Sequence, residues 1–343
     1  MEEALRHFFS ELHPILLALA IAASLAVLGK AADWLVDEAV ALSERSKIPK
    51  TVIGATIVSL GTTTPEAAVS VLAAVAGQPA LALGNAVGSI ICDTGLILGI
   101  ACLIAPLRLD PRIVSRQGWI QLISGFALVA ACFPWLSPGS VFITGGNLPQ
   151  AMGIVFVIGL GVYMWQSIRW ARQGIALEGV QGHEEDAGSP LALVLAKLIG
   201  SVALVVASAH VLIPAVTEAA TRLQVPPSII AATMVAFGTS LPELVTAINA
   251  ARRGHGDLAV GNIIGADILN VLFVAGTAAA VTPAGLQADV HFFRVLFPMM
   301  LFILVVFRVG IVFSGKYMKK PFGFVLLAAY AFYTIVSFWF PGR

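Results

Sequence analysis

An all-α polytopic membrane protein is the fold class the sequence predicts, and three observations predict it. Apolar residues make up 58% of the 343 positions and charged residues only 11%, and the mean hydropathy is +0.92. A soluble domain cannot hide that much apolar surface. The apolar residues also fall in runs of ~20 or more, the length a helix needs to cross the hydrocarbon core, and not in the ~10-residue alternating segments of a barrel.

Ten spans are expected, at about 12–36, 51–76, 79–104, 116–134, 148–170, 191–214, 226–251, 257–280, 292–313 and 321–340. The first is expected to be a retained span and not a leader, because MEEALRHFF is acidic and no clear cleavage site follows it. Lysines and arginines set the orientation of the spans. Arg45, Lys47, Lys50, Arg108, Arg112, Arg116, Arg169, Arg172, Arg252, Arg253, Arg308, Lys316, Lys319 and Lys320 fall on one side. Arg6, Arg222, Arg294 and Arg343 fall on the other. The positive-inside rule puts the first set in the cytoplasm and both termini outside. One long polar stretch, 171–190, separates two sets of five spans and is read as a cytoplasmic linker; its acids lack an EF-hand pattern. Net charge is +1 with no basic tract, so nucleic acid is not an expected partner; the lipid bilayer is. Cys92, Cys102 and Cys132 lack metal-ligand spacing and read as packing residues.

Residues 51–99 recur without a gap as residues 228–276, always 177 positions later, and 18 of the 49 pairs are identical. The first copy holds GTTTPE (61–66) and GNAVG (84–88); the second holds GTSLPE (238–243) and GNIIG (261–265). Five spans is an odd number, so the second set must enter the membrane in the opposite sense. The chain is therefore organised as 1–170, the linker 171–190 and 191–343, two inverted five-helix repeats. Matched interrupted segments of this kind meet at the centre of the bilayer.

The two blocks carry the chemistry. Pro65 lacks an amide hydrogen and its ring clashes with the carbonyl of Gly61; Pro242 does the same to Gly238, so spans 2 and 7 should be discontinuous. Thr62 and Glu66 share a face at i, i+4, as do Thr239 and Glu243, with Thr63 and Ser240 adding hydroxyls. Ser89 and Asp93 lie one turn apart in the third span, and their counterparts in the eighth are Ala266 and Asn270. Asp267 stands about 60° round the helix from Asn270 and either rims the site or faces a neighbouring helix. Carboxylate, hydroxyl and carbonyl oxygens without imidazole or thiolate suit hard cations such as Ca²⁺ or Na⁺. Acids inside a membrane without a matching basic residue require metal ions or protons.

Other polar positions carry plainer readings. Gly84/Gly88 and Gly261/Gly265 have GxxxG spacing and fit close helix packing. Asn85 and Asn262 either line the site or join helices. Lys30 and Asp33, at i, i+3, are expected to pair, and His210 to be an interfacial histidine.

These paired blocks resemble the alpha-repeats of the sodium/calcium exchanger branch of the calcium:cation antiporter superfamily, whose signature is close to GTSLPE followed by GNxxGSN. The resemblance spans nearly the whole chain. It implies a secondary antiporter in a prokaryotic inner (plasma) membrane, with no cofactor, that exchanges Ca²⁺ for Na⁺ bound at the membrane midplane. Its ion-binding positions fall on Ser59 (carbonyl), Thr62, Thr63, Glu66, Ser89 and Asp93 in the first half. In the second they fall on Ala236 (carbonyl), Thr239, Ser240, Glu243, Ala266 and Asn270.

The chain departs from that pattern in three ways. Asp93 and Asn270 are exchanged between halves relative to archaeal-type members, alanine replaces the usual serine at 266, and Ile90 and Asp267 stand where asparagine is usual. The departures bear on the coupling ion, so exchange driven by H⁺ or K⁺ is the nearest rival. A cation channel fits duplicated broken helices less well. An intramembrane enzyme using paired carboxylates is the reading from another class; neither HExxH nor GxSxG is present.

Overall fold

The computed structural model describes residues 2–178, 190–223 and 238–339. Twelve helices carry the described chain. A short helix α1 (Glu2–Glu11) precedes α2 (Pro14–Ser46). The chain continues through α3 (Lys50–Thr62), α4 (Thr64–Val75), α5 (Pro79–Ile104), α6 (Pro111–Cys132) and α7 (Gln150–Glu178). After the linker come α8 (Leu191–Arg222), α9 (Leu241–Arg252), α10 (Gly256–Ala280), α11 (Phe292–Ser314) and α12 (Lys320–Trp339).

Among these residues seven helices are long and apolar enough to cross a membrane, and eight if α3 and α4, bent by 43°, make one span. The helix at α6 is long enough but carries Arg116, Gln117 and Gln121, which dilute its apolar run. The first half of the expected seventh span, and with it Ala236, lies outside the described residues.

Two helices outrun their sequence expectation. The first apolar run extends to Ser46, ten residues past 36, because an amphipathic segment continues it and Lys47 closes it in the left-handed conformation (φ 57°). At 33 residues it is ~50 Å long, more than a bilayer core needs. The eighth helix in this numbering, α8, likewise continues to Arg222, whose guanidinium donates to the carbonyls of Phe9, Ser10 and Leu12 and ties α8 to α1. Lys30 does not pair with Asp33. Its ammonium sits 5.7 Å from the centre of the Trp34 ring instead, one turn further along the same helix.

The centre of the molecule is α5 and α10; α2 and α8 lie side by side at the periphery. The helix α10 crosses α3 with backbone against backbone. A Cβ on Gly261 would stand 2.2 Å from the Thr51 carbonyl oxygen, and one on Gly265 would stand 2.5 Å from Ala55 Cα. Gly54 faces the same crossing, 2.6 Å from the Leu258 oxygen. Five residues from Gly54 to Val58 take up a π turn there, and Tyr163 of α7 donates to the Ala55 carbonyl at 2.9 Å. The first GxxxG is different: Gly88 has nothing within 4 Å and Gly84 only the tip of Phe292. Ser228, the counterpart of Thr51, is outside the described residues.

Short strands pin the loops at the two ends. At one end β1 (Leu107–Arg108) pairs with β4 (Tyr317–Met318), and elsewhere β2 (Gly146–Leu148) pairs with β3 (Leu286–Ala288), both antiparallel. The three cysteines are buried and free.

The two copies of the repeat close their turns alike. Gly77 (φ 77°) donates to the Ala74 carbonyl at 3.1 Å, and Gly254 (φ 78°) donates to that of Ala251 at 3.1 Å. Each pair is 177 positions apart. The π turn at Cys92–Ile97 has its counterpart at Asn270–Ala275.

The glycines give a contrast that thermal unfolding in detergent can read. Gly261→Ala forces a Cβ into backbone and should cost about 1–3 kcal/mol. Gly88→Ala, which meets open space, should leave the unfolding temperature unchanged or raise it; equal effects would contradict the packing described.

Candidate cation site

The break between α3 and α4 is local chemistry made visible. Thr63 (φ −84°, ψ −5°) joins the two helices, with Pro65 in the first turn of α4. Its counterpart Ser240 (φ −83°, ψ 10°) precedes α9, with Pro242 in the first turn. Proline cannot donate to the carbonyl four residues back, so the Gly61 and Gly238 carbonyls lose their helical partners. The Ser59 carbonyl, by contrast, accepts from Thr63 N at 2.8 Å and more weakly from Thr62 Oγ1 at 3.4 Å. Both of its lone pairs are thereby engaged, and only the long Thr62 contact is weak enough to yield one to a ligand.

Both breaks place a carboxyl one turn inside the following helix. Glu66 and Glu243 are each only 1% exposed. Thr63 Oγ1 donates across the repeats to Glu243 Oε1 at 3.2 Å. The helix that carries Glu66 packs against the third and eighth expected spans. Asp93, the second residue of the π turn of α5, and Asp267 are buried to the same degree, and α9 packs against that turn. Thus the structure brings together the two proline-broken segments and the third and eighth expected spans.

Several of the oxygen atoms in this group have no protein partner. Buried and unbonded are Glu66 Oε2, Glu243 Oε2, Asp93 Oδ1, Asp267 Oδ1, Asn270 Oδ1, Ser89 Oγ and Ser240 Oγ. Thr62, Thr63 and Ser59 are fully buried, Thr239 is partly so, and Ala266 is buried but contributes no hydroxyl. Asn85 settles one ambiguity. Its amide donates to the Glu66 carbonyl (3.3 Å) and Ser70 Oγ (3.0 Å), while its oxygen accepts from Thr239 Oγ1 (3.4 Å). It joins the segments that carry the site. Asn262 is fully buried with both side-chain polar atoms unbonded.

Among the described residues no lysine or arginine pairs with any of the four acids. Nor do three carboxylate, histidine or cysteine side chains converge on one point. A cation here would rest on two glutamates and be completed by hydroxyl and carbonyl oxygens, a donor set for hard cations.

Asp267 occupies a side compartment. One of its oxygens accepts from Thr94 Oγ1 and from Gln121 Nε2, and Gln121 also donates to Thr94 at 3.2 Å. Sequence reasoning missed Thr94 and Gln121. Gln117 and Gln121, one turn apart in an apolar run, were the available signal, since buried amides need partners.

Residues 16–169 and 193–339 match the sequence profile of the family described as sodium/calcium exchanger protein. The chain belongs to that family. The sodium/calcium exchanger MaX1 of Methanosarcina acetivorans is 30% identical over 340 residues, covering 92% of this chain and 96% of its own. Inner membrane protein YrbG of Escherichia coli is 34% identical over 261 residues, 74% of this chain and 76% of its own. Among solved structures the sodium-calcium exchanger NCX_Mj, soaked with zero Na⁺ and Ca²⁺, superposes with a TM-score of 0.77 at 25% identity. That match covers 95% of this chain and all of the other. The exchanger fold is thus that of the described residues.

The side compartment makes a testable cycle. Gln121→Leu strips a donor from a buried carboxyl and should destabilise by about 1–3 kcal/mol. With Asp267→Leu already present, the same change should cost clearly less. Additive effects on unfolding temperature would mean that the two side chains do not interact.

Proposed function

We propose that the protein is a secondary antiporter that exchanges Ca²⁺ for Na⁺ across the membrane by alternating access, moving Ca²⁺ out of the cytoplasm. The observation that carries this is the set of four buried acids that have bare oxygens and, among the described residues, no basic partner. In an apolar interior such a cluster is stable only when cations or protons occupy it. The sequence relatives and the superposition on NCX_Mj support the same reading.

In this reading Ca²⁺ sits between Glu66 and Glu243. Asp93, Thr62, Thr63, Thr239, Ser240, Ser89 and Asn270 supply further oxygens, as do the carbonyls of Ser59 and Ala236. Na⁺ uses overlapping positions. The full plan is ten spans in two inverted five-helix repeats, with α6 and the segment ending in α9 as the two spans that composition alone leaves out. Three features support the inversion: the 177-residue offset, the identically closed turns at Gly77 and Gly254, and the way β1·β4 maps onto β3·β2. The basic loops favour a cytoplasmic β1·β4 end, and both termini are then outside.

Exchange follows from electrostatics. An unloaded site leaves carboxylates uncompensated in low dielectric, so the protein crosses between its two accessible states only when loaded. The moving part is the α2–α8 pair. The helix α8 passes over both breaks: Val202 lies against Gly61, and Ile213 against Gly238. On the core side α2 is held by Asn249 Nδ2 donating to the Gly29 carbonyl at 3.1 Å and by Arg253 paired with Asp37. A slide of this pair uncovers one break as it covers the other.

One observation favours a second reading on the same fold. Asp267 adds a buried carboxyl where asparagine is usual, and Ala266 removes a hydroxyl, a combination that suits coupling to H⁺ or K⁺. Purified protein in vesicles separates the two. A Na⁺ jump at clamped pH should drive ⁴⁵Ca²⁺ uptake without K⁺; uptake that needs K⁺ or a pH gradient selects the second reading. Glu66→Gln and Glu243→Gln should each lower Ca²⁺ flux by at least about a hundredfold, since each removes a charge that offsets the ion's desolvation. Near-normal flux in either would refute the site.

A further inference from the structure

Arg308 is a buried cation that the exchange site does not use. It lies on α11, six residues before the helix ends, and is 8% exposed. Its Nη2 donates to Ser115 Oγ of α6 at 3.1 Å, and its guanidinium stands 4.5 Å from the centre of the Trp119 ring. Its Nε and Nη1 are buried with no partner. Among the described residues no carboxylate pairs with it; the nearest acid in the adjoining loop, Asp110, caps α6 through Ile113 N at 3.2 Å. A desolvated guanidinium with two idle nitrogens is poised for an anion.

The anion's place is beside it. Arg308, Ser115 and Lys316 line a cavity of about 270 Å³ whose remaining wall includes the apolar Ile311 and Val312. It opens where the β1–α6 loop meets the turn after α11, at the end of the bundle that carries most of the basic loops. Val312 and its neighbour Phe313 are 64% and 76% exposed on the outer surface of α11, and Trp119 is half-exposed.

We propose that this cavity binds the phosphate of an anionic phospholipid from the cytoplasmic leaflet. The fork of a guanidinium matches two non-bridging phosphate oxygens, and Lys316 supplies a second charge at headgroup depth. Two cations without an acid between them disfavour the ammonium of a zwitterionic headgroup. The apolar wall and the exposed side chains beside it favour a phosphate that brings glycerol and acyl chains, over free phosphate. The lipid would bridge α6 and α11 and complete the coordination of Arg308.

Native mass spectrometry and thermal unfolding of the full chain test this in nanodiscs of phosphatidylcholine, alone, doped with phosphatidylglycerol, or bathed in inorganic phosphate. Wild type should retain one phosphatidylglycerol selectively and unfold at higher temperature with it, and inorganic phosphate should do nothing. Arg308→Gln should bind phosphatidylglycerol about tenfold more weakly, the loss expected for one charge-assisted contact. Lys316→Gln, on the turn beyond the helix, should bind it about fivefold more weakly. This second variant carries the test by itself if Arg308→Gln does not fold. Retention equal to wild type in the folded variants overturns the proposal. So does stabilisation by inorganic phosphate in phosphatidylcholine alone, which would make the cavity a free-anion site.

Discussion

Four carboxyl groups, each about 1% exposed and none paired with a basic side chain among the described residues, are the constraint to which the rest of this structure is fitted. Burying even one unpaired charge costs several kcal/mol. The surroundings show how the fold holds four in place. Proline breaks turn helix ends toward them, hydroxyls from Thr63, Thr94 and neighbouring positions meet some of their oxygens, and the rest are left bare. Glycines at the α3–α10 crossing let backbones touch, which brings the first broken segment against the helix that carries Asp267 and Asn270. What remains unsatisfied is a hard-cation donor set, and the family to which the chain belongs is one of exchangers.

The backbone repeats more faithfully than the chemistry it carries. Turns at Gly77 and Gly254, breaks at Thr63 and Ser240, and π turns after Ile91 and Leu269 recur at or within a residue of the 177-residue offset. The side chains do not. Thr63 donates to Glu243 Oε1, whereas no such bond joins its counterpart Ser240 to Glu66. Ser89 has alanine at its repeat counterpart, Ala266, and Asp93 has asparagine at Asn270. Backbone symmetry is maintained by glycine and proline, which act on φ and on hydrogen-bond supply. The polar residues are free to diverge, because a binding site needs a total set of oxygens and does not need them shared equally.

Much of this was legible in the sequence, for a physical reason. Glutamate and proline inside an apolar run are expensive, so their duplication at GTTTPE and GTSLPE stood out at once and placed the breaks and the acids. The side compartment was not legible in the same way. Gln121 costs less than a charge in an apolar helix and reads as a dip in hydropathy; Thr94 could have bonded its own backbone like many helical threonines. Helix lengths were underestimated where amphipathic turns extend α2 beyond the apolar run, since hydropathy marks the membrane and not the end of the helix. Lys30 illustrates the limit of spacing rules: Asp33 and Trp34 are both within reach on the same face, and the ring was the partner.

The charge balance links the site to its coupling ion. On the proposed reading, one Ca²⁺ offsets the two glutamates that the broken helices bring together. Asp93 and Asp267 remain, and they differ in surroundings. The Asp267 oxygen that accepts from Thr94 and Gln121 is stabilised by two fixed dipoles, while its other oxygen and Asp93 Oδ1 are bare. Neither a second divalent ion nor an arginine is needed to balance this pair; monovalent ions or protons suffice. A family member with asparagine at 267 has one fewer such charge to balance. On this reading Asp267, one of the positions that depart from the family pattern, is a position through which the number and kind of counter-ions per Ca²⁺ would be set.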